Sequence, residues 1–435
     1  METLLKHWRN FGESIAIIED EEKFSFNTFI VDIEKTSHEI TSQINTNNTA
    51  FVWNYSPCYS NVVLLFAIAR CGGIIVPENS AHRIFSSKVE NRIHLGESSL
   101  STFQIEDFEL TLELKKRQSS GIIISTSGTS QQPKDVLLDF SLLCLKYLKL
   151  QSKFVAVLTF SLEHISGIET LISILSPGGT IVLPTGRNPH QIADAIKQNK
   201  ASLLSCTPSF LIQLHLKNLL NQEYFETIKI INCGGEPLRE IWQKKFQEKI
   251  PNVNIRQAFG TTESTNLRTS THPTNSRLFK PGLHNEDFII KQNRLLLRSL
   301  GYLIGDWNKG FKNNDAWIET GDMVVEAEDG FLEVINRWDT LILVGGNKVN
   351  AQEVEEIILQ LPIVQFARVY GESNLILGQI VVADVVCDAN ADLLALKSII
   401  RQHCYTHLDD FKVPVKIKKL NELPLTTRMK YDAAQ

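Results

Sequence analysis

"GIIISTSGTSQQPKDVLL", residues 121–138, is the stretch on which the fold turns. "GIII" reads as a short buried strand, and an apolar run follows the loop. Between them five hydroxyl side chains crowd around Gly128 and lead into Pro133-Lys134. These residues by themselves fit two readings. A turn of Gly, Ser and Thr exposes backbone N–H groups and hydroxyl donors, and a lysine adds charge, which suits a phosphate. The same residue types also make an ordinary surface turn.

The surroundings weigh on that choice. Residues 27–45 space Phe29, Ile30, Ile33, Ile40 and Ile44 as a helix does, and "AFVW" (50–53) reads as a strand. "NVVLLFAIARCGGIIVPEN" (61–79) predicts a buried helix, a glycine turn and a buried strand. The unit recurs in "IETLISILSPGGTIVLP" (168–184), and "HQIADAIKQNKASLLSCTP" (190–208) is helix then strand. "FETIKIINCGGEPL" (225–238) runs a strand into a glycine turn. Apolar strands alternating with helices predict an α/β fold of parallel sheets covered on both faces. Ligands collect at the carboxyl ends of such strands, where the turns 125–134, 233–237 and 259–264 lie. From about 285 the pattern becomes alternating, with an Asp329-Gly330 turn, which predicts an antiparallel β subdomain. After Asp339 a compact run of strands and helices predicts a small α+β C-terminal domain. Its helix over 351–361 starts from Asn350 in a capping-box pattern with Glu353. The domains expected are 1–338 and 339–435.

Bulk composition excludes several classes. With 435 residues, 43% of them hydrophobic, the chain has apolar material for a large core in two or three domains. A net charge of −5 gives no nucleic-acid surface, and "KVPVKIKKL" (412–420) reads as one solvated face of a strand. The seven cysteines are scattered without a CxxC pair, so neither a zinc site nor a disulfide framework is predicted. The first 22 residues carry charges throughout, and no apolar run approaches membrane-spanning length. The expectation is a soluble cytoplasmic protein in a reducing compartment, with no membrane or nucleic-acid partner, as monomer or homodimer.

Four further stretches carry candidate chemistry. "QAFGTTEST" (257–265) places a carboxylate beside hydroxyls, which suits Mg²⁺ on phosphates, or else a polar turn. "IETGDMV" (318–324) puts Asp322 where it can accept from a ribose diol, or serve as a turn residue. "NRWDTLILVGGNKVNAQEVE" (336–355) holds Arg337, Asp339 and a Gly-Gly loop. "LPLTTRMK" (423–430) holds a lysine after a proline and two threonines; alone it reads as a basic tail.

Singly these are weak, but their order resembles the adenylate-forming superfamily of acyl- and aryl-CoA ligases, luciferases and peptide-synthetase adenylation domains. The family loop T-S-G-T-T-G-x-P-K-G is matched by Thr126-Ser127-Gly128-Thr129-Ser130-Gln131-Gln132-Pro133-Lys134-Asp135. Its [YF]-G-x-T-E is matched by Phe259-Gly260-Thr261-Thr262-Glu263, and its T-G-D by Thr320-Gly321-Asp322. The G-R-x-D hinge is matched by Asn336-Arg337-Trp338-Asp339, and P-x-T-x-x-G-K by Pro424 to Lys430. The chain resembles the compact o-succinylbenzoate-CoA ligase type.

The resemblance implies roles. Residues 126–134, with Lys134, would hold the ATP β- and γ-phosphates. Thr262 would bond the α-phosphate, and Glu263 would hold Mg²⁺. Asp322 and Arg337 would hold the ribose. Gly234, Gly235, Glu236 and Pro237 would flank adenine. Lys430 would bridge the acyl carboxylate and the α-phosphate, Asp339 would be the hinge, and Gly345, Gly346 and Lys348 would face the thiol acceptor. A carboxylate attacking an α-phosphate brings anions together, so a lysine and Mg²⁺ neutralise developing charge.

"TFSLEHISGIE" (159–169) is similar to the family's substrate segment, with His164-Ile165-Ser166-Gly167 matching F-H-x-x-G. His164 is otherwise read as a core imidazole. Phe160-Ser161-Leu162-Glu163 replaces the aspartate segment of amino-acid-activating domains, although Glu163 leaves that reading open. Ser209, Gly234, Phe259, Gly260 and Thr261 would complete a glycine-floored slot for an aryl or short acid. The acceptor expected is CoA; the alternative is the phosphopantetheine of an acyl carrier protein. A non-catalytic relative is disfavoured by the retention of Thr262, Glu263, Asp322, Arg337 and Lys430. A P-loop NTPase is excluded because "GTSQQPKD" lacks G-K-[ST].

Gln131 and Asp135 stand where the family has glycines, as do Met429 and Asn336. Gln131 restricts the loop backbone and Asp135 adds negative charge, which predicts a weak grip on pyrophosphate. Gln131→Gly should lower the ATP KM, and an unchanged KM would refute this reading.

Overall fold

The apolar runs fold into the elements that their spacing predicts. In the helix Tyr59–Arg70, Val62, Val63 and Leu65 to Ala69 are all buried, so it is covered on every side. The chain turns at Gly72, whose φ of +74° suits glycine, into the fully buried strand Ile74–Pro77. The unit recurs as helix Ile165–Leu175 and strand Thr180–Leu183, and again as helix Pro189–Gln198 and strand Leu203–Cys206. This computed structural model describes residues 1–435 except 47, 87, 89, 97, 107, 127–133, 268, 273, 274, 276, 282–287, 299, 312–316, 338–340, 388–391, 427, 428 and 432–435.

Two sheets meet in the larger part of the molecule. The seven-stranded one runs, in spatial order, Asn254–Gln257, Ile230–Cys233, Leu203–Cys206, Val155–Val157, Thr180–Leu183, Ile15–Glu19 and Glu22–Ser25. All of its pairs are parallel except the edge hairpin Ile15–Glu19 with Glu22–Ser25. The eight-stranded sheet is mixed. Thr49–Trp53, Ile74–Pro77 and Gly121–Thr126 run parallel, but the chain returns from Thr126 as the antiparallel strand Lys134–Asp139. The strands on either side of the hydroxyl-rich stretch are therefore antiparallel neighbours. Antiparallel neighbours accept so short a connection, whereas parallel ones need a crossover.

The alternating stretches form antiparallel hairpins, Phe288–Lys291 with Arg294–Arg298 and Trp317–Glu326 with Leu332–Arg337. A last sheet begins at Ile342–Val344 and includes Val364–Asn374, Gly378–Cys387 and Lys416–Leu420, flanked by helices Ala351–Ile358 and Leu393–His407. Asn350 caps the first helix by accepting the Gln352 N–H at 3.0 Å, and Glu353 meets Lys412 at 2.9 Å. In the last strand Ile417 is buried while Lys416 and Lys418 are exposed, as the basic cluster predicts. All seven cysteines are free thiols, and burial pushes those of Cys71 and Cys404 up to about 11. Among the described residues no helix is long and apolar enough to cross a membrane.

One buried polar network ties the "GTTEST" turn to the helix Ile165–Leu175 and to the residues that follow the helix Phe140–Leu145. The Lys146 ammonium donates to Glu169 at 2.6 Å, to the Thr265 hydroxyl at 2.7 Å and to the Asn266 carbonyl at 2.5 Å. Tyr147 donates to Glu169 at 2.6 Å, and the Asn266 N–H donates to its other oxygen at 2.6 Å. The Glu169 side chain is wholly buried. Lys146→Met should leave that carboxylate without its cation and destabilise the chain by about 3–5 kcal/mol. An unchanged denaturation midpoint would refute the assignment.

Candidate active site

Two parallel strands deliver the centre of the site. Leu203–Cys206 ends at Thr207, which caps the helix Pro208–Leu216 by accepting the Phe210 N–H at 3.1 Å. The same hydroxyl donates to the carbonyl oxygen of Met429. Next to it, Ile230–Cys233 ends in Gly234 and Gly235, with the Gly234 N–H bound to the Cys206 carbonyl at 3.0 Å. Gly235 has φ +80°, and a Cβ there would lie 3.1 Å from Lys430 Cε and 3.4 Å from its Nζ. The position needs glycine for its backbone and for the approach of the lysine. Glu236 continues the ledge by accepting the Ser209 N–H at 3.2 Å, and Gln257 braces it by donating to the Glu236 carbonyl at 3.3 Å.

Lys430 is held between two anchors. On one side is the bond from Thr207 to Met429. On the other, the Tyr431 hydroxyl donates to the buried Asp384 carboxylate of the C-terminal sheet. Met429 adopts φ +56°, the region that favours the glycine it replaces, and its side chain is buried in the core. Sequence reading missed Thr207, although a threonine before a first-turn proline is a helix-start signal.

The other candidates assemble locally. Phe259 stacks on Phe279 with centroids 4.9 Å apart. Gly260–Thr261 pairs with Thr265–Asn266, and the turn is closed by Thr261 N–H to Ser264 Oγ at 3.0 Å and Ser264 N–H to Thr261 Oγ1 at 3.1 Å. Thr262 and Glu263 are half-buried at its tip. Asp322 and Arg337 oppose each other across their strand pair, with Arg337 Nη1 3.8 Å from Asp322 Oδ1. Thr126 and Lys134 are cross-strand partners at the mouth of the hairpin, both half-buried. Ser127, Gly128, Thr129, Ser130 and Gln131, and the hinge candidate Asp339, lie outside the described residues. Gly345, Gly346 and Lys348 are exposed on the C-terminal sheet, where the Gly345 N–H donates to the Leu377 carbonyl at 2.8 Å.

Two departures read differently in three dimensions. Asp135 is buried and gripped by Arg83 through two bonds of 2.5 and 2.8 Å, with the Ser125 hydroxyl at 2.6 Å. Its charge is therefore countered within the fold. Arg83 lies 52 residues away in sequence, so nothing in the motif announces it. Glu163 is also buried, 3.3 Å from His164 Nε2, and accepts from Asn79 at 2.8 Å. Burial, then the charge of Glu163, pushes the Tyr55 hydroxyl up; burial pulls the Arg187 guanidinium down while Glu163 opposes it. Protein partners thus surround this carboxylate.

The donors fit the groups that the motifs imply. The Gly235 turn lies open to a lysine ammonium, and the 261–263 turn offers hydroxyls and one carboxylate, hard oxygen donors suited to Mg²⁺. Among the described residues no three His, Cys, Asp or Glu gather into a metal cluster of their own.

Comparison with known proteins agrees with this assembly. The AMP-binding enzyme family matches residues 111–283, and the AMP-binding enzyme C-terminal domain matches 353–430. A 2-succinylbenzoate–CoA ligase of Listeria innocua is 28% identical over 362 residues, 79% of this chain and 74% of the relative. An anthranilate CoA ligase solved with anthranoyl-AMP superposes with a TM-score of 0.77 at 18% identity, covering 98% of this chain and 95% of that one. The o-succinylbenzoate CoA synthetase of Bacillus subtilis, solved with its acyl-adenylate intermediate, gives 0.70 at 18% identity, covering 98% and 96%. With two family domains in order over more than half its length, and the fold to match, the chain belongs to the AMP-binding, adenylate-forming enzymes.

Proposed function

We propose that this chain activates a carboxylic acid with ATP, forming an acyl-adenylate and releasing pyrophosphate, and then passes the acyl group to the thiol of CoA. The observation that carries the reading is Lys430 standing over the Gly235 turn. An ammonium at that place would meet the acyl carboxylate and the α-phosphate together, and lower the cost of bringing two anions into contact. Thr262 would donate to the α-phosphate. Thr126, Lys134 and the loop between them would hold the departing phosphates. Asp322 and Arg337 would take the ribose hydroxyls, and Gly234 to Pro237 would flank adenine beside Phe259, Gly260 and Thr261. Mg²⁺, held by Glu263, would supply positive charge to the phosphates.

The acid we propose is an aryl or short one, seated by His164 and Ser209 above the glycine ledge. The ligases of succinylbenzoate and anthranilate among its relatives support an aryl acid. The enclosure of Glu163 by its own neighbours speaks against an amino-acid substrate. Gly345, Gly346 and Lys348 would face the thiol after rotation about Asp339, the boundary between domains 1–338 and 339–435. A carrier-protein thiol is the second reading, because it uses the same chemistry.

Incubation with ATP, Mg²⁺ and a panel of aryl, short aliphatic, long-chain and amino acids, with and without CoA, tests the proposal. Pyrophosphate together with an aryl-CoA is the expected result. Adenylate formed with CoA untouched would favour a carrier protein, and no turnover across the panel would overturn the reading. Lys430→Ala should abolish adenylate formation and spare thioester formation from synthetic acyl-adenylate; equal loss of both would refute its placement in the first step.

A further inference from the structure

The ledge that meets Lys430 is followed at once by a buried charge that reaches into the C-terminal part. Arg239 stands two residues after Pro237, at the start of the helix Glu240–Lys249. Its guanidinium forms an ion pair with Glu355, on the helix Ala351–Ile358, with side chains 11% and 0% exposed. Such burial separates this contact from the exposed pair Lys217–Glu422, which spans the same two parts at 3.2 Å. Glu355 is fixed from its own side: one oxygen accepts the Val369 N–H at 2.6 Å and lies 3.7 Å from Arg368 Nε. Apolar packing surrounds the pair, for Trp242 and Phe366 approach across the same boundary with centroids 6.5 Å apart.

The energetics of this pair are those of a reversible contact. Burial, and then the nearby Arg368 guanidinium, pull Arg239 down to about 9. Bringing it out of water therefore has a cost, which the attraction of Glu355 offsets. Without the Glu355 carboxylate, only the charges of Glu356 and Glu236 would stand against Arg368 at this guanidinium. Without Arg239, Glu355 would keep Arg368 and the Val369 N–H. Arg239 thus depends on the approach of Glu355, whose own place is fixed by its neighbours.

We propose that Arg239 and Glu355 form a latch that positions Lys430: their pairing holds the C-terminal part in the orientation that places the lysine over Gly235. The proposal rests on the reading that Lys430 serves adenylate formation and leaves for the thiol step. Arg239 and Glu355 touch no reacting atom in this scheme. They set how much of the protein stands ready for the first half-reaction.

The test uses the full chain carrying Arg239→Met, Glu355→Gln, or both. Glutamine keeps the shape of Glu355 and an acceptor for the Val369 N–H, so the fold is retained. ATP–pyrophosphate exchange reads the first half-reaction, and thioester formation from synthetic acyl-adenylate reads the second. The accessibility of Lys430 is read without turnover, as its acetylation by an N-hydroxysuccinimide ester relative to the exposed Lys291. Each single variant should lose about tenfold or more in exchange, hold its thioester rate, and label faster at Lys430. The double variant should lose less exchange and protection than the two singles' losses added together, because both remove the same contact. Equal loss in both half-reactions, or Lys430 labelling unchanged in both singles, would overturn the latch. A wild-type chain that exchanges pyrophosphate with no acid would instead overturn the assigned reaction, and the labelling would still decide the latch.

Discussion

Lys430 is held in place by neighbours that belong to different parts of the molecule. The carbonyl just before it is bound by Thr207, at the end of a strand of the seven-stranded sheet. The hydroxyl of Tyr431, just after it, is bound by Asp384 in the C-terminal sheet. The ammonium therefore reaches Gly235 only while the two parts keep this orientation. A single hydrophobic core, with Trp242 and Phe246 from one part and Phe366 and Met429 from the other, surrounds the boundary. In the proposed reaction this arrangement would put a cation between two anions, on a part that could be withdrawn afterwards.

Two of the departures from the family motifs, Met429 and Asp135, are absorbed by the fold. Met429 takes a backbone conformation that costs a side-chain-bearing residue about 1–2 kcal/mol, and its burial in the core offsets this. Asp135 takes the place of a glycine beside the phosphate loop, yet Arg83 and Ser125 hold its carboxylate under the hairpin. The same pattern holds for Glu163 beside His164. Asp135 and Glu163 each find a partner far along the chain, in Arg83 and Asn79.

The turns at Glu236 and at 261–264 are braced in a similar way. Glu169, on the helix Ile165–Leu175, and Lys146, just past the helix Phe140–Leu145, are buried together and reach Thr265 and Asn266 beside the turn bearing Thr262 and Glu263. Gln257 does the same for the ledge at Glu236 by bonding its carbonyl, while its oxygen accepts the Leu238 N–H at 2.8 Å. Both turns are thus braced by buried polar groups from elsewhere in the chain.

Local pattern was enough to establish the element types. The helices 59–70 and 165–175, the glycine turns after them and the strands that follow are legible because periodicity and glycine act over a few residues. The family motifs were legible too, since they stand in a fixed order along the chain, and the family domains match residues 111–283 and 353–430. The sequence alone did not show that the strands on either side of the hydroxyl-rich stretch are antiparallel neighbours within a mixed sheet. That depends on which strand Lys134–Asp139 finds as its neighbour. Nor could it pair Arg83 with Asp135, Lys146 with Glu169 or Arg239 with Glu355. Those partners lie far apart along the chain, and only the packing of sheets and helices brings buried charges of opposite sign together.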